Sequence, residues 1–295
     1  MRRHPVILGI ALLALIAFVS IIAAYGLGLF EGERHAFSLR EKVGIIPIEG
    51  IIGDADELIE QIHAFADDRK IKAVVLRIDS PGGGVVPSQE IYQAIRALKK
   101  KKKVVASMGS VAASGGYLIA VAADRIVANP GSITGSISTV MHYANVEELM
   151  KKVGVRSSVV KSGKFKDIGS PTREMTAEER SMIQAIVDDI YDQFVRTIAE
   201  NRTLPLQRIF KLADGRIFSG RQAKDLGLVD ELGGLQDAVL LAGKLSGMEG
   251  IPEVVHGMKK KTNLLNYLMG NIASAVFEEI KGQTTESRGA QYLLQ

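Results

Sequence analysis

The chain has 295 residues, is 46% hydrophobic and contains no cysteine, so it has room for one large domain or two small ones and cannot use disulfides, thiol nucleophiles or cysteine-held zinc. A formal net charge of +4 is too slight to direct it to nucleic acid.

Residues 6–30 (VILGIALLALIAFVSIIAAYGLGLF) carry no charge. A bilayer needs roughly 20 apolar residues in a helix, whereas the core of a cleavable signal peptide runs to about 7–15. Arg2, Arg3 and His4 precede the stretch and Glu31 and Glu33 follow it. The positive-inside rule then leaves residues 1–5 in the cytoplasm and carries everything from about residue 31 outside. The segment reads as a signal anchor. The alternative is a long signal peptide cut near Ala23-Ala24.

Residues 43–52 (VGIIPIEGII) are short and β-branched and predict a buried strand. Residues 54–68 predict a helix with Leu58, Ile59, Ile62 and Phe65 on one side. Strands follow at 72–79 and 103–108 and helices at 88–100 and 112–123, with a short apolar run RIVA at 125–128. A helix is expected near 146–153, a strand at 156–161 (RSSVVK), and a long helix from 177 to about 201. Short strands alternating with helices mean a parallel sheet covered by helices. The lysines at 99–103 close a helix, where they offset its dipole and form a solvated face rather than a phosphate site. Residues 250–295 read as a packed helix with a frayed end, or as a helix lying on the membrane surface or on a neighbouring subunit.

Glycine-rich stretches punctuate this pattern at 79–84 (DSPGGG), 113–117 (ASGGY) and 129–136 (NPGSITGS). Loops at the carboxyl ends of parallel strands are where α/β sheets place their sites. Backbone amides at Gly82–Gly84 are free to face a developing oxyanion. Ser114 opens a helix, so the Gly115 amide and the helix dipole face the same point. On spacing alone Ser114 is equally a nucleophile or an N-cap. Ser107 and Ser110 lack its placement.

A nucleophilic serine needs a base. None of the five histidines, His4, His35, His63, His142 and His256, has a polar, glycine-rich setting, and Asp79 reads equally as a turn residue. The segment VVKSGKFKDIGSP (159–171) offers Lys161, Lys164 and Lys166, and on composition any of them could serve. A lysine buried among apolar groups becomes a base near neutral pH. The pair Ser158 and Lys161 matches S-x-x-K, but that chemistry wants a helix and this pair falls in the expected strand, so it is set aside.

The stretches SPGGG, MGSVAASGGYLIAVAADRIVANPGSITGSIS, KSGKFKDIGSPTREMTAEER and DGRIFSGRQAKDLGLVDELGG, in this order, resemble the SppA type of signal peptide peptidase in its half-length bacterial form. The resemblance spans roughly residues 42–245. It implies the α/β ClpP/crotonase fold, with repeated β-β-α units and a parallel sheet behind one transmembrane helix. The organisation would be a cytoplasmic 1–5, an anchor at 6–30, an extracytoplasmic Ser–Lys peptidase domain at 31–249 and a tail at 250–295. Carried over by position, it implies Ser114 as nucleophile and Lys166 as general base. Gly83 and Gly115 match the oxyanion donors, and Ser136 matches a serine that orients the lysine. Ser138 departs from the pattern, standing where relatives often have glycine.

No cofactor and no metal are implied. In half-length relatives the serine and lysine come from adjacent subunits of a dome-like ring, often an octamer, so Lys166 would be neutral only inside the assembly. The implied substrates are remnant signal peptides and other apolar peptides at the bacterial inner membrane, with no nucleic acid partner. The rival readings are a crotonase-type acyl-CoA enzyme, a non-catalytic membrane scaffold, and a protease of misfolded membrane proteins.

Overall fold

A computed structural model describes residues 41–257, the backbone of 291–293 and, in the N-terminal part, residues 15, 16, 18 and 19. The chain divides into two units, Met1–Arg40 and Glu41–Gln295. Apart from those four residues, the anchor expected at 6–30 lies outside the described residues. No helix among the described residues is long and apolar enough to cross a membrane.

Strand and helix alternate first as β1 (Lys42–Ile52), α1 (Asp56–Asp67), β2 (Ile71–Gly84), α2 (Val85–Lys99), β3 (Lys103–Ala113) and α3 (Gly115–Ala120). Two short strands follow, β4 (Arg125–Ala128) and β5 (Ile133–Gly135), and then α4 (Glu147–Lys152). The rest comprises α5 (Ala177–Arg202), α6 (Leu206–Leu212), β6 (Ile217–Ser219), α7 (Gly220–Asp225), β7 (Glu231–Leu232), α8 (Leu235–Leu245), β8 (Glu253–His256) and β9 (Gln291–Leu293). One sheet runs in the order β6-β5-β3-β2-β1-β8, with β4 joined to β3 and β7, and β9 joined to β2. The pairings among β1, β2, β3, β4, β5, β7 and β8 are parallel, and β6 and β9 add antiparallel.

Alternation along the strands explains why both faces are buried. Val43, Ile45, Ala73, Val75, Val105 and Val127 point one way, against Ala238, Val239 and Ala242 of α8. Ile46, Ile48, Val74, Leu76, Ile78, Val104 and Ala106 point the other way, into a larger core with Ile62, Ile91, Ile95 and Phe194 from α1, α2 and α5. A period of two on a doubly covered parallel sheet produces this segregation. α5 starts on the sequence TAEE, a reciprocal cap in which Thr176 Oγ1 accepts from the Glu179 amide at 3.2 Å and Glu179 Oε2 accepts from the Thr176 amide at 2.9 Å.

The long strands change partners partway along. β3 pairs with β4 from Val105 to Met108 and with β5 from Val111 to Ala113. β2 pairs with β3 through Ile78, slips register, and makes its last pairing with it at Ser80 opposite Ala112. Each long strand therefore does the work of two short ones before its helix, which is how the expected β-β-α pattern is realised here.

Three sequence expectations are corrected. Residues 156–161 form no strand: the segment is irregular and exposed, because its valines find no neighbouring strand to pair with. The tail expected from residue 250 begins as sheet, since β8 pairs with β1 from Glu253 to His256. The lysine run is more than a solvated face. Lys99 Nζ donates to the Ala123 carbonyl at 3.1 Å, and Lys102 donates to the carbonyls of Phe65 and Asp68 at the end of α1.

Candidate active site

The site forms where β2 and β3 part. At the register slip the Asp79 carboxylate takes over from the ladder, its Oδ1 accepting from the Val111 amide at 3.0 Å. Ser80, fully buried, donates its hydroxyl to the Gly50 carbonyl at 2.6 Å and accepts from the Gly82 amide at 3.1 Å. Across the gap the Thr134 hydroxyl donates to the Ala112 carbonyl at 2.7 Å and the Ser132 hydroxyl to the Gly109 carbonyl at 2.6 Å. Side-chain hydroxyls thus satisfy backbone groups that diverging strands would otherwise leave unpaired. In the sequence Asp79 reads equally as a turn residue, and no hydrogen-bonding role is assigned there to Ser80, Ser132 or Thr134.

SPGGG, expected as a loop, is the end of β2 itself. Ile51 lies opposite Gly82 and Ile52 opposite Gly83. A Cβ on Gly83 would sit 2.2 Å from the Ile52 carbonyl oxygen, so the two backbones approach as only glycine allows. A Cβ on Gly116 would sit 2.9 Å from the Ser80 carbonyl oxygen, so the glycine pair after Ser114 lets α3 settle directly on β2.

Ser114 stands at the N-terminus of α3 with φ 52° and ψ −117°. Positive φ in a residue with a Cβ costs of order 1–3 kcal/mol and collects at functional positions. Among the described residues only Ser114, Ser136 and Thr203 show it without being glycine. The Ser114 amide donates to the Gly135 carbonyl at 2.8 Å and its carbonyl accepts from the Leu118 amide at 2.9 Å, which fix the turn from both sides. Its side chain makes no capping bond to the helix. Ser114 Oγ is buried with no hydrogen-bond partner among the described residues. The N-cap alternative therefore fails, and a hydroxyl left buried and unpaired asks for another explanation.

Ser136 follows directly on the β5 end that pairs with β3 beside Ser114. It is buried, has φ 50°, and its amide donates to the Arg216 carbonyl at 2.8 Å. Ser138, the departure from the family pattern, lies near Gly215, where an added Cβ would meet the Ser138 Cβ at 3.6 Å. Ser107 has a structural partner, accepting from Arg77 Nη1 at 3.0 Å, and Ser110 is exposed.

The three candidate lysines separate clearly. Lys161 is paired with Asp167, and Lys164 with Glu178. Lys166 is exposed and makes neither an ion pair nor a side-chain hydrogen bond with the described residues. Ser158 and Lys161 lie on exposed irregular chain, so no helix carries the S-x-x-K match.

The segment bearing Lys166 is anchored by its neighbour. Asp167 Oδ2 accepts from Arg173 Nε at 2.9 Å, and Arg173 Nη1 reaches Glu179 Oε2 at 2.8 Å in the first turn of α5. The Arg173 guanidinium and then the Lys161 ammonium hold the Asp167 carboxyl far below the usual carboxylate range. Arg173, helped by the Thr176 amide, holds Glu179 at about 2. The structure thus gathers Ser114, Gly115, Ser136 and Gly83 around the strand divergence, and it does not bring Lys166 Nζ within hydrogen-bonding distance of Ser114 Oγ.

Residues 96–249 match the profile of Peptidase family S49, and residues 39–133 match that of Clp protease. A Synechocystis sp. protein named as a protease is 46% identical over 213 residues, 72% of this chain and 77% of its own length. A Methanocaldococcus jannaschii protein, also named as a protease, is 36% identical over 282 residues, 91% of this chain and 90% of its own. An Enterococcus faecium protein named as a signal peptide peptidase SppA is 34% identical over 213 residues, 68% of this chain and 62% of its own.

Proposed function

The chain belongs to peptidase family S49, in its SppA branch, and is a serine peptidase; from that premise we propose that it is a membrane-anchored endopeptidase in which Ser114 is the nucleophile and Lys166 the general base. The observation that carries the proposal is the Ser114 hydroxyl, buried, unpaired and held at positive φ between the glycine end of β2 and the start of α3. Such a hydroxyl is expensive unless a reaction needs it free.

In this reading the Ser114 oxygen attacks a peptide carbonyl while the neutral Lys166 amine takes its proton, and the ammonium then returns that proton to the leaving amine. The Gly83 and Gly115 amides receive the oxyanion. Ser136, on the strand end beside Ser114, orients the lysine. The choice of Lys166 rests on its position in the family-like stretch KFKDIGSP, and it is supported by the pairing of Lys161 with Asp167 and of Lys164 with Glu178.

The dyad is completed between copies. Lys166 stands in solvent within one chain, whereas a lysine general base works from a dry, apolar setting. A ring of copies, with Lys166 of one facing Ser114 of the next, removes that water. Residues 6–30 hold the ring at the bilayer with the catalytic unit on the outer side. Remnant signal peptides, the substrate class in the name of the Enterococcus relative, and other apolar peptides are the substrates.

Complementation tests this. Ser114→Ala and Lys166→Ala chains should each be inactive on an apolar peptide ester, and co-expression should restore roughly a quarter of wild-type activity, because random assembly leaves about that share of junctions with both groups. Absence of any recovery refutes a shared dyad, and turnover retained in Ser114→Ala refutes the nucleophile.

A further inference from the structure

β2 and β3 pair through Ile78 opposite Met108, and they pair for the last time at Ser80 opposite Ala112. Between those two pairings β2 has one residue, Asp79, and β3 has three, Gly109, Ser110 and Val111. β3 therefore bulges, which is rare between parallel strands, and bulges beside active sites re-aim what comes after them. What comes after this one is Ser114, three residues beyond Val111, while Gly83 lies four residues beyond Asp79 on the facing strand.

The bulge is held from both sides. Asp79 Oδ1 accepts from the Val111 amide at 3.0 Å, and Ser132 Oγ donates to the Gly109 carbonyl at 2.6 Å. The Asp79 side chain fills the notch that Gly109 leaves, since a Cβ on Gly109 would lie 2.8 Å from both Asp79 Cγ and Oδ2. We propose that Asp79 is a positioning residue for the peptidase reaction: by filling the bulge and holding the Val111 amide, it fixes where Ser114 stands relative to the Gly83 amide. The proposal rests on the reading of Ser114 as nucleophile given above.

The place of this bond distinguishes it from an ordinary structural one. It joins the strand that carries the proposed oxyanion donor to the strand that carries the proposed nucleophile, and beyond Ser80 the ladder between them ends. With the carboxylate gone, the Val111 amide loses its acceptor and the extra length of β3 is free to redistribute. Any such shift reaches Ser114 through only Ala112 and Ala113. Asp124 is the matched comparison. Its Oδ2 accepts from the Val104 amide at 2.9 Å, so the same kind of bond, from a half-buried carboxylate to a β3 amide, stands at the opposite end of the strand.

A misplacement of about 1 Å costs roughly 10²-fold in rate. Relaxation of the bulge should therefore lower kcat about ten- to a hundredfold, while KM, set by contacts along the whole substrate, moves by less than about threefold.

The test uses the full-length enzyme, a peptide ester and a melting curve for each variant. Asp79→Ala and Asp124→Ala should lower Tm alike, each by roughly 3–12 °C for one lost hydrogen bond to a carboxylate. Only Asp79→Ala should lose kcat, with Asp124→Ala staying within about threefold of wild type. Asp79→Asn keeps an acceptor oxygen and should recover kcat to within about threefold of wild type. Gly109→Ala decides the matter if Asp79→Ala does not fold: the new Cβ pushes the carboxylate aside, so kcat should fall about tenfold with Tm nearly unchanged. Equal losses of kcat in Asp79→Ala and Asp124→Ala overturn the proposal, as does an Asp79→Asn enzyme as slow as Asp79→Ala, or full kcat in Gly109→Ala. Labelling with a fluorophosphonate keeps the two readings apart. The label should sit on Ser114, and its rate of attachment should fall with kcat in Asp79→Ala. A label on another serine, or turnover in Ser114→Ala, removes the nucleophile reading itself and the positioning proposal with it.

Discussion

Gly83→Ala isolates the role given to the end of β2. The added Cβ would lie 2.2 Å from the Ile52 carbonyl oxygen, 2.6 Å from its nitrogen and 2.7 Å from its carbonyl carbon. All three are backbone atoms, so no side chain can rotate to relieve the overlap. Ordinary contact begins near 3.4 Å, so β2 must shift by about 1.2 Å at this residue, taking the Gly83 amide with it. A misplacement of about 1 Å costs roughly 10²-fold in rate, and removal of one oxyanion donor costs ~10²–10³ in kcat, or about 2.7–4 kcal/mol.

The same overlap costs about 1–3 kcal/mol of stability, a fall in Tm of roughly 2–12 °C for a unit of this size. kcat for a peptide ester, measured beside a melting curve and well below the lowered Tm, separates the two effects. Gly53→Ala is the control, since its Cβ meets nothing within 4 Å although it directly follows Ile52 at the same end of the strand pair. A Gly83→Ala enzyme that stays folded and keeps kcat within threefold of wild type would show that this amide takes no part in stabilising the oxyanion.

Two further predictions concern the frame of the site. Arg202 grips Asp230 through two hydrogen bonds of 2.9 and 2.8 Å in a largely buried setting, and Asp230→Ala leaves that guanidinium without its anion, so Tm should fall by roughly 6–20 °C, from ~3–5 kcal/mol for a broken buried pair. Glu179 titrates near 2 in the folded chain against an ordinary 4.5, so the support it gives is complete above about pH 4.5 and is lost as pH falls toward 2. Hydrogen exchange of residues 161–176 should therefore accelerate across that window, and Arg173→Ala should move the acceleration toward the upper end; an unmoved profile means Arg173 does not set it.

The elements easiest to read were those whose pattern and packing agree. β1, the first half of β2 and α5 carry periodic apolar positions, and α5 carries its capping box in plain letters as TAEE. SPGGG misled because proline and three glycines ordinarily break strands, whereas here they are required by the approach of the Ile52 backbone. Residues 156–161 misled in the opposite sense. Val159 and Val160 read as strand, yet Val160 is wholly exposed, since β-branched residues form a strand only where a neighbour supplies the other half of the ladder.

For the site, Ser114 was visible as a residue with two meanings, cap or nucleophile. Only the torsion angles and the absence of a capping bond separate them, and neither is written in the spacing. On composition the three lysines were equivalent and only the family resemblance pointed to Lys166; the structure adds that Lys161 and Lys164 are paired with Asp167 and Glu178.

The two halves of the proposed dyad are incomplete in opposite ways within one chain. Ser114 has lost water and gained no partner, which costs roughly 1–3 kcal/mol. Lys166 has kept its water and has no anion. Near it in sequence, Val153, Val155, Val159 and Val160 are all exposed, more apolar surface than a soluble loop ordinarily presents. In the proposed ring, a second copy drawn over this region would relieve all three deficits together: the valines would be covered, the lysine nitrogen would leave water, and the hydroxyl would gain a partner. Since only a neutral amine accepts a proton and a dry setting favours the neutral form, the contact proposed to hold such a ring together would also be the one that arms the serine.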